Sequence, residues 1–284
     1  HDYWGGLNDL RHGLVCVLHS LSFVDDPTRM LRAVRFEQRF DFRIEERTLE
    51  LLQAALPLLE KVSGDRIRHE LDHILAEPKA ANILARLDNL DLLDAIHPVL
   101  KWDVWLRARL EALSAEAPGP DWGLKDRPDK KEYKKDLGYC LWLLRLAAPD
   151  VKQVSKRLKL PSNLTKSILA ASELWRDLSN LIDETPSGVV NRLQDLPPLS
   201  IFAVYQATSD AHLRNLLQTY VTKWKEITPS IDGHDLRELG LPPGPVYRQI
   251  LGRMREAWLD GEITNQEEEQ AFLEQLLDEA AHNN

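Results

Sequence analysis

Apolar side chains recur every three to four residues along most of the chain, the spacing that gathers them on one face of an α-helix. The pattern predicts helices over about 27–40, 45–60, 65–76, 79–97 with a break, 102–115, 132–148, 150–159, 162–181, 187–195, 198–208, 210–227, 233–239, 245–260 and 265–281. Helix punctuation separates them: Ser63-Gly64, Pro78, Pro98, Pro149, Pro161, Pro197-Pro198, Pro229 and the cluster at 242–245. Strand character is confined to Leu14–Leu18, after an opening loop, HDYWGGLNDL, whose Gly5-Gly6 pair reads as a turn. No fixed-length repeat is visible, and the acidic run Glu267–Glu269 is the one low-complexity stretch. The fold class expected is all-α with a short β segment at its start. Seams are expected near Ala80, in the polar loop 115–131 and near Pro229.

One stretch departs from this monotony. In FVDDPTRMLRAVRF, residues 23–36, Asp25 and Asp26 precede Pro27, so a carboxylate is expected to cap a helix whose first position tolerates proline's missing donor. At about 100° per residue, Arg29, Arg32, Arg35 and Arg39 fall within about 120° of arc, with Met30, Leu31 and Val34 on the other side. Asp26 and Arg29 are neighbours on such a helix and can reach one planar target together.

Net charge qualifies the picture. At −9 overall the chain is a poor nonspecific polyanion binder, yet from Asp121 to Lys166 twelve Lys or Arg stand against six Asp or Glu, while from Asp260 onward eight acids face no Lys or Arg. Of these cations, Lys130, Lys131, Lys134, Lys135, Lys156 and Arg157 are candidates for RNA contact; solvated helix faces would explain them as well. Cys16 and Cys140 fit no metal or disulfide spacing, and no apolar run approaches a membrane span, so a soluble protein of the reducing cytoplasm is expected. His69 and His73 lack a third ligand, and no metal site is expected there. The eight tryptophans are scattered and read as helix-packing residues. The chain opens at His1 inside a loop, which suggests a fragment of a longer polypeptide.

Three motifs carry a family resemblance. The first is Asp2, Gly5, Gly6, Asp9 and Leu10, then Asp25, Asp26 and Arg29, then Leu31, Arg32, Ala33, Arg35 and Phe36; the second is VSGDRIRHEL at 62–71, with Asp65 where the family usually has Glu; the third is IDGHDLRELGLPPGPVYRQIL at 231–251. Together they resemble the head-to-neck junction, neck and C-terminal part of class II tRNA nucleotidyltransferases, the CCA-adding enzymes, and of bacterial poly(A) polymerases. The resemblance covers about the first 100 residues well and the last 55 fairly well, and leaves 100–228 generically helical.

The resemblance implies an elongated array: the end of a nucleotidyltransferase head at 1–22 with a β remnant, a neck for base recognition at 23–80, an RNA-binding body at 81–228 and a tail at 229–284. It implies that Asp26 and Arg29 choose the incoming CTP or ATP. A carboxylate accepts from the exocyclic amine of cytosine or adenine, a guanidinium donates to ring nitrogen and carbonyl, and uracil and guanine would set a carbonyl against the carboxylate. Arg32 and Arg35 are placed to meet nucleotide phosphates or to hold neck to head. Asp2, Gly5, Gly6 and Asp9 resemble a mobile loop, and Ser63, Gly64, Asp65, Arg66 and Glu70 a helix start that buttresses the neck.

The chemistry itself is expected elsewhere. Nucleotidyl transfer needs carboxylates that hold Mg²⁺, in this family a D-x-D motif after a Gly-Ser element, and the sequence contains neither. The expectation is therefore a neck, body and tail that hold a tRNA acceptor end, inactive alone, within an enzyme that adds C and/or A to RNA 3′ ends. A poly(A) polymerase and a noncatalytic RNA-binding or scaffolding module are the alternatives.

Overall fold

The structure is a computed structural model that describes residues 5–113, 119–124, 130–241 and 244–282, with the side chains of 130–132 and 280–282 left out. Among the described residues there are seventeen α-helices and two strands of two residues each, an all-α architecture. Backbone contacts divide the chain into two units: residues 1–176 with 197–207, and residues 177–196 with 208–284.

The first unit opens with a small mixed element. Helix α1 (Gly6–His12) leads through Gly13, at φ 63, into β1 (Leu14–Val15), and the one-turn α2 (Ser22–Asp25) precedes α3 (Arg29–Phe40). Asp41, left-handed at φ 56, ends α3 and turns the chain into β2 (Arg43–Ile44), which pairs parallel with β1 in the register Leu14 to Arg43 and Val15 to Ile44. Parallel neighbours need a crossover, and α3 supplies it. Two expectations are corrected here. Residues 6–12 are helical where the Gly-Gly sequence suggested a loop, and a second strand exists that two residues could not announce.

Helices α4 (Glu46–Ala55), α5 (Gly64–Ala76), α6 (Ala80–Asn89), α7 (Leu92–Ile96), α8 (Val104–Ala112), α9 (Lys130–Leu143), α10 (Ala148–Leu158), α11 (Ser162–Arg176) and α13 (Pro198–Ala207) complete the unit. The helix expected over 45–60 tightens at Leu56 into a 3₁₀ segment, Leu56–Lys61, because Pro57 cannot continue the α ladder. Helix α3 packs on α5 and α6 and turns Met30, Leu31 and Val34 wholly inward, as its period predicts; Ile67, Leu71 and Ile74 of α5 and Ile83 and Leu84 of α6 are likewise fully buried. At about 25 cal/mol per Å², each such side chain contributes about 1.5–3 kcal/mol to holding α3 in place.

The second unit comprises α12 (Pro186–Leu193), α14 (Ala211–Thr222), α15 (Gly233–Glu238), α16 (Pro245–Asp260) and α17 (Gln266–His282). Leu236, Ile250, Met254, Ile263 and Leu273 form its buried cluster. Asp260 caps α12 by accepting from the Ser187 amide at 2.9 Å and hydroxyl at 2.6 Å. Among the described residues no helix is long and apolar enough to cross a membrane.

Candidate base-recognition site

The motif helix starts differently from the sequence expectation. Asp26 leaves helical space at φ −147 and ψ 96, and its Oδ1 accepts from the Thr28 amide at 3.0 Å and the Thr28 hydroxyl at 2.6 Å. That is a side-chain-closed turn of the kind Asp favours. It delays α3 to Arg29, with Thr28, 4% exposed, at the cap position. Asp26 thus satisfies the free Thr28 amide as a cap would, but the helix begins at Arg29 and not at Pro27, and the capping role expected of Asp25 is corrected. Asp25 ends α2 and faces solvent, 3.8 Å from His19.

Asp26 has a third donor on the same oxygen. Arg66 of α5 donates to Oδ1 at 2.7 Å, so the pairing partner of Asp26 is forty residues away and not Arg29. Burial works to raise the Asp26 pKa, but the two Thr28 hydrogen bonds and the charges of Arg66 and Arg29 outweigh it and hold the carboxyl below its ordinary range. All three hydrogen bonds fall on Oδ1, leaving Oδ2 with accepting capacity on a side chain 23% exposed. Arg29 donates from Nη1 to Ser22 Oγ at 2.9 Å, and its other N–H groups have no partner among the described residues. One fixed acceptor and one guanidinium with spare donors, neither of them buried, are what a base edge with an amine beside a ring nitrogen requires.

The remaining arginines of α3 are tied to α5. Arg32 donates to Glu70 Oε1 at 2.9 Å; Arg35 lies 3.7 Å from Glu70 Oε2 and donates to Glu77 Oε1 at 3.4 Å; Arg39 reaches Glu77 Oε1 at 3.1 Å. Glu70 is 3% exposed. Arg32 and Arg35 therefore tie α3 to Glu70 of α5 and to Glu77 just after it. From the opposite side of α3, Glu37 accepts from Arg86 of α6 at 2.9 Å and from the Ile44 amide at 3.0 Å.

At the start of α5, Ser63 has cap geometry but no side-chain cap bond. A Cβ on Gly64 would collide with the Arg157 carbonyl, so glycine lets α5 start directly against the end of α10. Asp65 accepts from Lys159 Nζ at 2.6 Å and lies 3.6 Å from Arg68. Arg157 donates to the carbonyls of Val62 and Leu59, both at 2.9 Å, and of Ile96 at 3.3 Å. Expected among the RNA-binding cations, Arg157 is corrected to a clamp on backbone. Lys134 is similarly engaged, donating to the Glu77 carbonyl at 3.1 Å, whereas Lys135 lies 3.8 Å from Asp136 and Lys156 is exposed.

In the opening segment Gly5 takes φ 78 ahead of α1 with open space around it, Gly6 begins that helix, and Asp9 sits beside the Cys16 thiol. Burial, then Asp9, pushes that thiol up to about 11, which disfavours the reactive thiolate; Cys140 is buried. Asp2 lies outside the described residues, as do the side chains of Lys130 and Lys131. His69 and His73 meet Nε2 to Nε2 at 3.2 Å. Among the described residues no group of three or more His, Cys, Asp or Glu is placed to hold a metal ion.

This helical unit sets a partly exposed carboxylate, fixed through one oxygen, near an arginine with spare donors. Comparison with known proteins places the chain in a family. The family model described as the probable RNA and SrmB-binding site of polymerase A matches residues 41–103. The A-adding tRNA nucleotidyltransferase of Geobacter sulfurreducens is 30% identical over 98% of this chain and 32% of its own length. The Thermotoga maritima CCA-adding enzyme complexed with tRNA superposes with a TM-score of 0.74 at 29% identity, over 98% of this chain and 67% of that one. A CCA-adding enzyme in complex with CTP gives 0.76 at 30% identity, over 98% and 66%. The chain belongs to the tRNA nucleotidyltransferase family and spans about a third of the Geobacter relative and about two thirds of the two solved enzymes.

Proposed function

We propose that this chain is the neck, body and tail, at 23–80, 81–228 and 229–284, of an enzyme that adds C and/or A to tRNA 3′ ends, with residues 1–22 at the edge of its catalytic head. Asp26 and Arg29 choose the base and the helical body holds the acceptor arm. The observation that carries the reading is the partly exposed Asp26 carboxylate, locked through one oxygen and open at the other, near the spare donors of Arg29. Relatives named for A addition and CCA addition, and solved relatives with tRNA and with CTP, support it. So does the apolar surface at the N-terminal end, where Leu10, Leu18 and Leu21 are 59%, 64% and 59% exposed, as befits a face covered by a head. Magnesium would be held by that head, with ATP and CTP as substrates, in the cytoplasm. Poly(A) addition is the second reading, favoured by the polymerase named in the matching family model.

Two measurements test the reading. Incubated alone with tRNA lacking its CCA end, Mg²⁺ and labelled ATP or CTP, the chain incorporates nothing; efficient incorporation refutes the assignment of chemistry to a separate head. In a protein carrying the head ahead of this chain, Asp26→Ala relaxes choice among nucleotides far more than it weakens tRNA binding. Equal loss of tRNA affinity with unchanged nucleotide preference would identify a scaffold instead.

A further inference from the structure

Helices α3 and α5 share a surface whose charge is not apparent from counting. Glu70 and Glu77 are 3% and 11% exposed and Arg35 is 11% exposed, whereas Arg32 is 46% exposed and Arg66 of α5, held by Asp26, is 52% exposed; Asp65, at the start of α5, is 50% exposed and held by Lys159. One turn apart between these arginines and α9 stand two exposed histidines, His69 and His73, with Nε2 atoms 3.2 Å apart and ring centroids at 4.6 Å. Neither is paired with a carboxylate. The two Nε2 atoms face each other across 3.2 Å, so an anion laid on the exposed side of the pair would meet both rings. From Arg66 to His73 the helix rises about 10 Å, room for more than one phosphate.

We propose that this strip, Arg32 and Arg66 with His69 and His73, holds successive phosphates of a single-stranded RNA segment, the histidines closing on it as they take up protons. The assignment rests on the RNA-binding reading above but not on base selection by Asp26. The charges around His73 are Arg35 from α3, His69, Glu70 and Asp72 from its own helix, and beyond Asp72 the Lys135 and Asp136 of α9. Burial, with His69 and Arg35, holds its pKa below the usual histidine range despite the nearby acids. A bound phosphate opposes that depression, so RNA binding takes up protons and tightens as pH falls through the histidine range.

The test is binding of the chain to an RNA hairpin with an unpaired 3′ tail, at fixed salt, from pH 8 to pH 5.5. Affinity should rise toward low pH, about tenfold for each unit by which phosphate shifts a histidine pKa. His69→Gln with His73→Gln should abolish that rise, and His69→Lys with His73→Lys should give tight binding at every pH. Arg32→Gln should weaken binding at all pH values and lower the salt slope by about one contact. Because Asp26 holds Arg66, Asp26→Ala should change affinity by the same factor at every pH while the proton-linked rise persists, which separates the histidines from base selection. A flat pH profile for the unmodified chain, or a rise that persists in the glutamine pair, overturns the proposal. So does displacement of the RNA by ATP or CTP with the same dependence on the two histidines, since the ligand would then be a triphosphate.

Discussion

Asp26→Asn is a sharp probe of the site because the surroundings dictate which way the amide must face. The Thr28 amide, the Thr28 hydroxyl and Arg66 all donate to one position, at 3.0, 2.6 and 2.7 Å, and an NH₂ group there would face three donors. The asparagine oxygen must therefore take the Oδ1 position, which places the NH₂ where Oδ2 now accepts. The open group changes from acceptor to donor. It then matches the carbonyl of uracil or guanine and opposes the amine of cytosine or adenine. A matched or mismatched base edge is worth about 1–3 kcal/mol, so preference for CTP over UTP should fall by about 5- to 150-fold, and invert if the native preference is smaller than that. Stability should change by no more than about 1 kcal/mol, because Arg66 is 52% exposed and the Thr28 bonds survive. Competition among the four nucleotides, in single-turnover incorporation by a protein carrying the head, measures the ratio. An equal loss for all four, with CTP and ATP still preferred over UTP and GTP, would refute the geometry from which the inversion is worked out.

Other expectations are independent of the head. Arg157→Met removes donors from three backbone carbonyls and should cost about 3 kcal/mol, lowering Tm by about 6–12 °C; an RNA contact would instead lower RNA affinity at unchanged Tm. Gly64→Ala forces a methyl onto the Arg157 carbonyl and should destabilise by about 2–4 kcal/mol in denaturant unfolding, whereas Gly252→Ala, in open helix surface, should be neutral or better. Burial raises the Asp72 pKa despite the Tyr139 hydroxyl bond, so its ionised form costs stability above the folded pKa and none below the unfolded one. Asp72→Asn should accordingly be neutral to stabilising at pH 7, with the gain vanishing as a urea titration is carried to pH 3. Asp26 has the opposite sign: its lowered pKa contributes stability above the ordinary carboxylate range that is lost as pH falls through its folded value, visible by NMR titration of the side chain.

What could be read from the sequence was whatever depends on periodicity or local chemistry. Met30, Leu31 and Val34 are buried because a helix at that phase has nowhere else to put them. The Asp26–Thr28 turn was legible in principle, since Asp two residues before Thr is a local closure, but the proline between them drew attention to capping. Arg66 as the partner of Asp26 was beyond reach, because the two residues meet only once α3 and α5 have packed. Arg157 was hidden for a different reason: its partners are backbone carbonyls, which every residue has and no sequence displays. The short strand β2 follows from Asp41 adopting a left-handed turn, and two residues of alternation carry no signal.

The ladder of Arg32, Arg35 and Arg39 on Glu70 and Glu77 does more than join two helices. It sets the roll of α3 about its own axis, and hence the heading of Arg29 at that helix's first turn and of the turn closed by Asp26. A substitution at Glu77, which pairs with Arg35 and Arg39 and with neither Asp26 nor Arg29, would swing that heading; on the proposed reading, errors in letter choice would then be inherited from a distant residue.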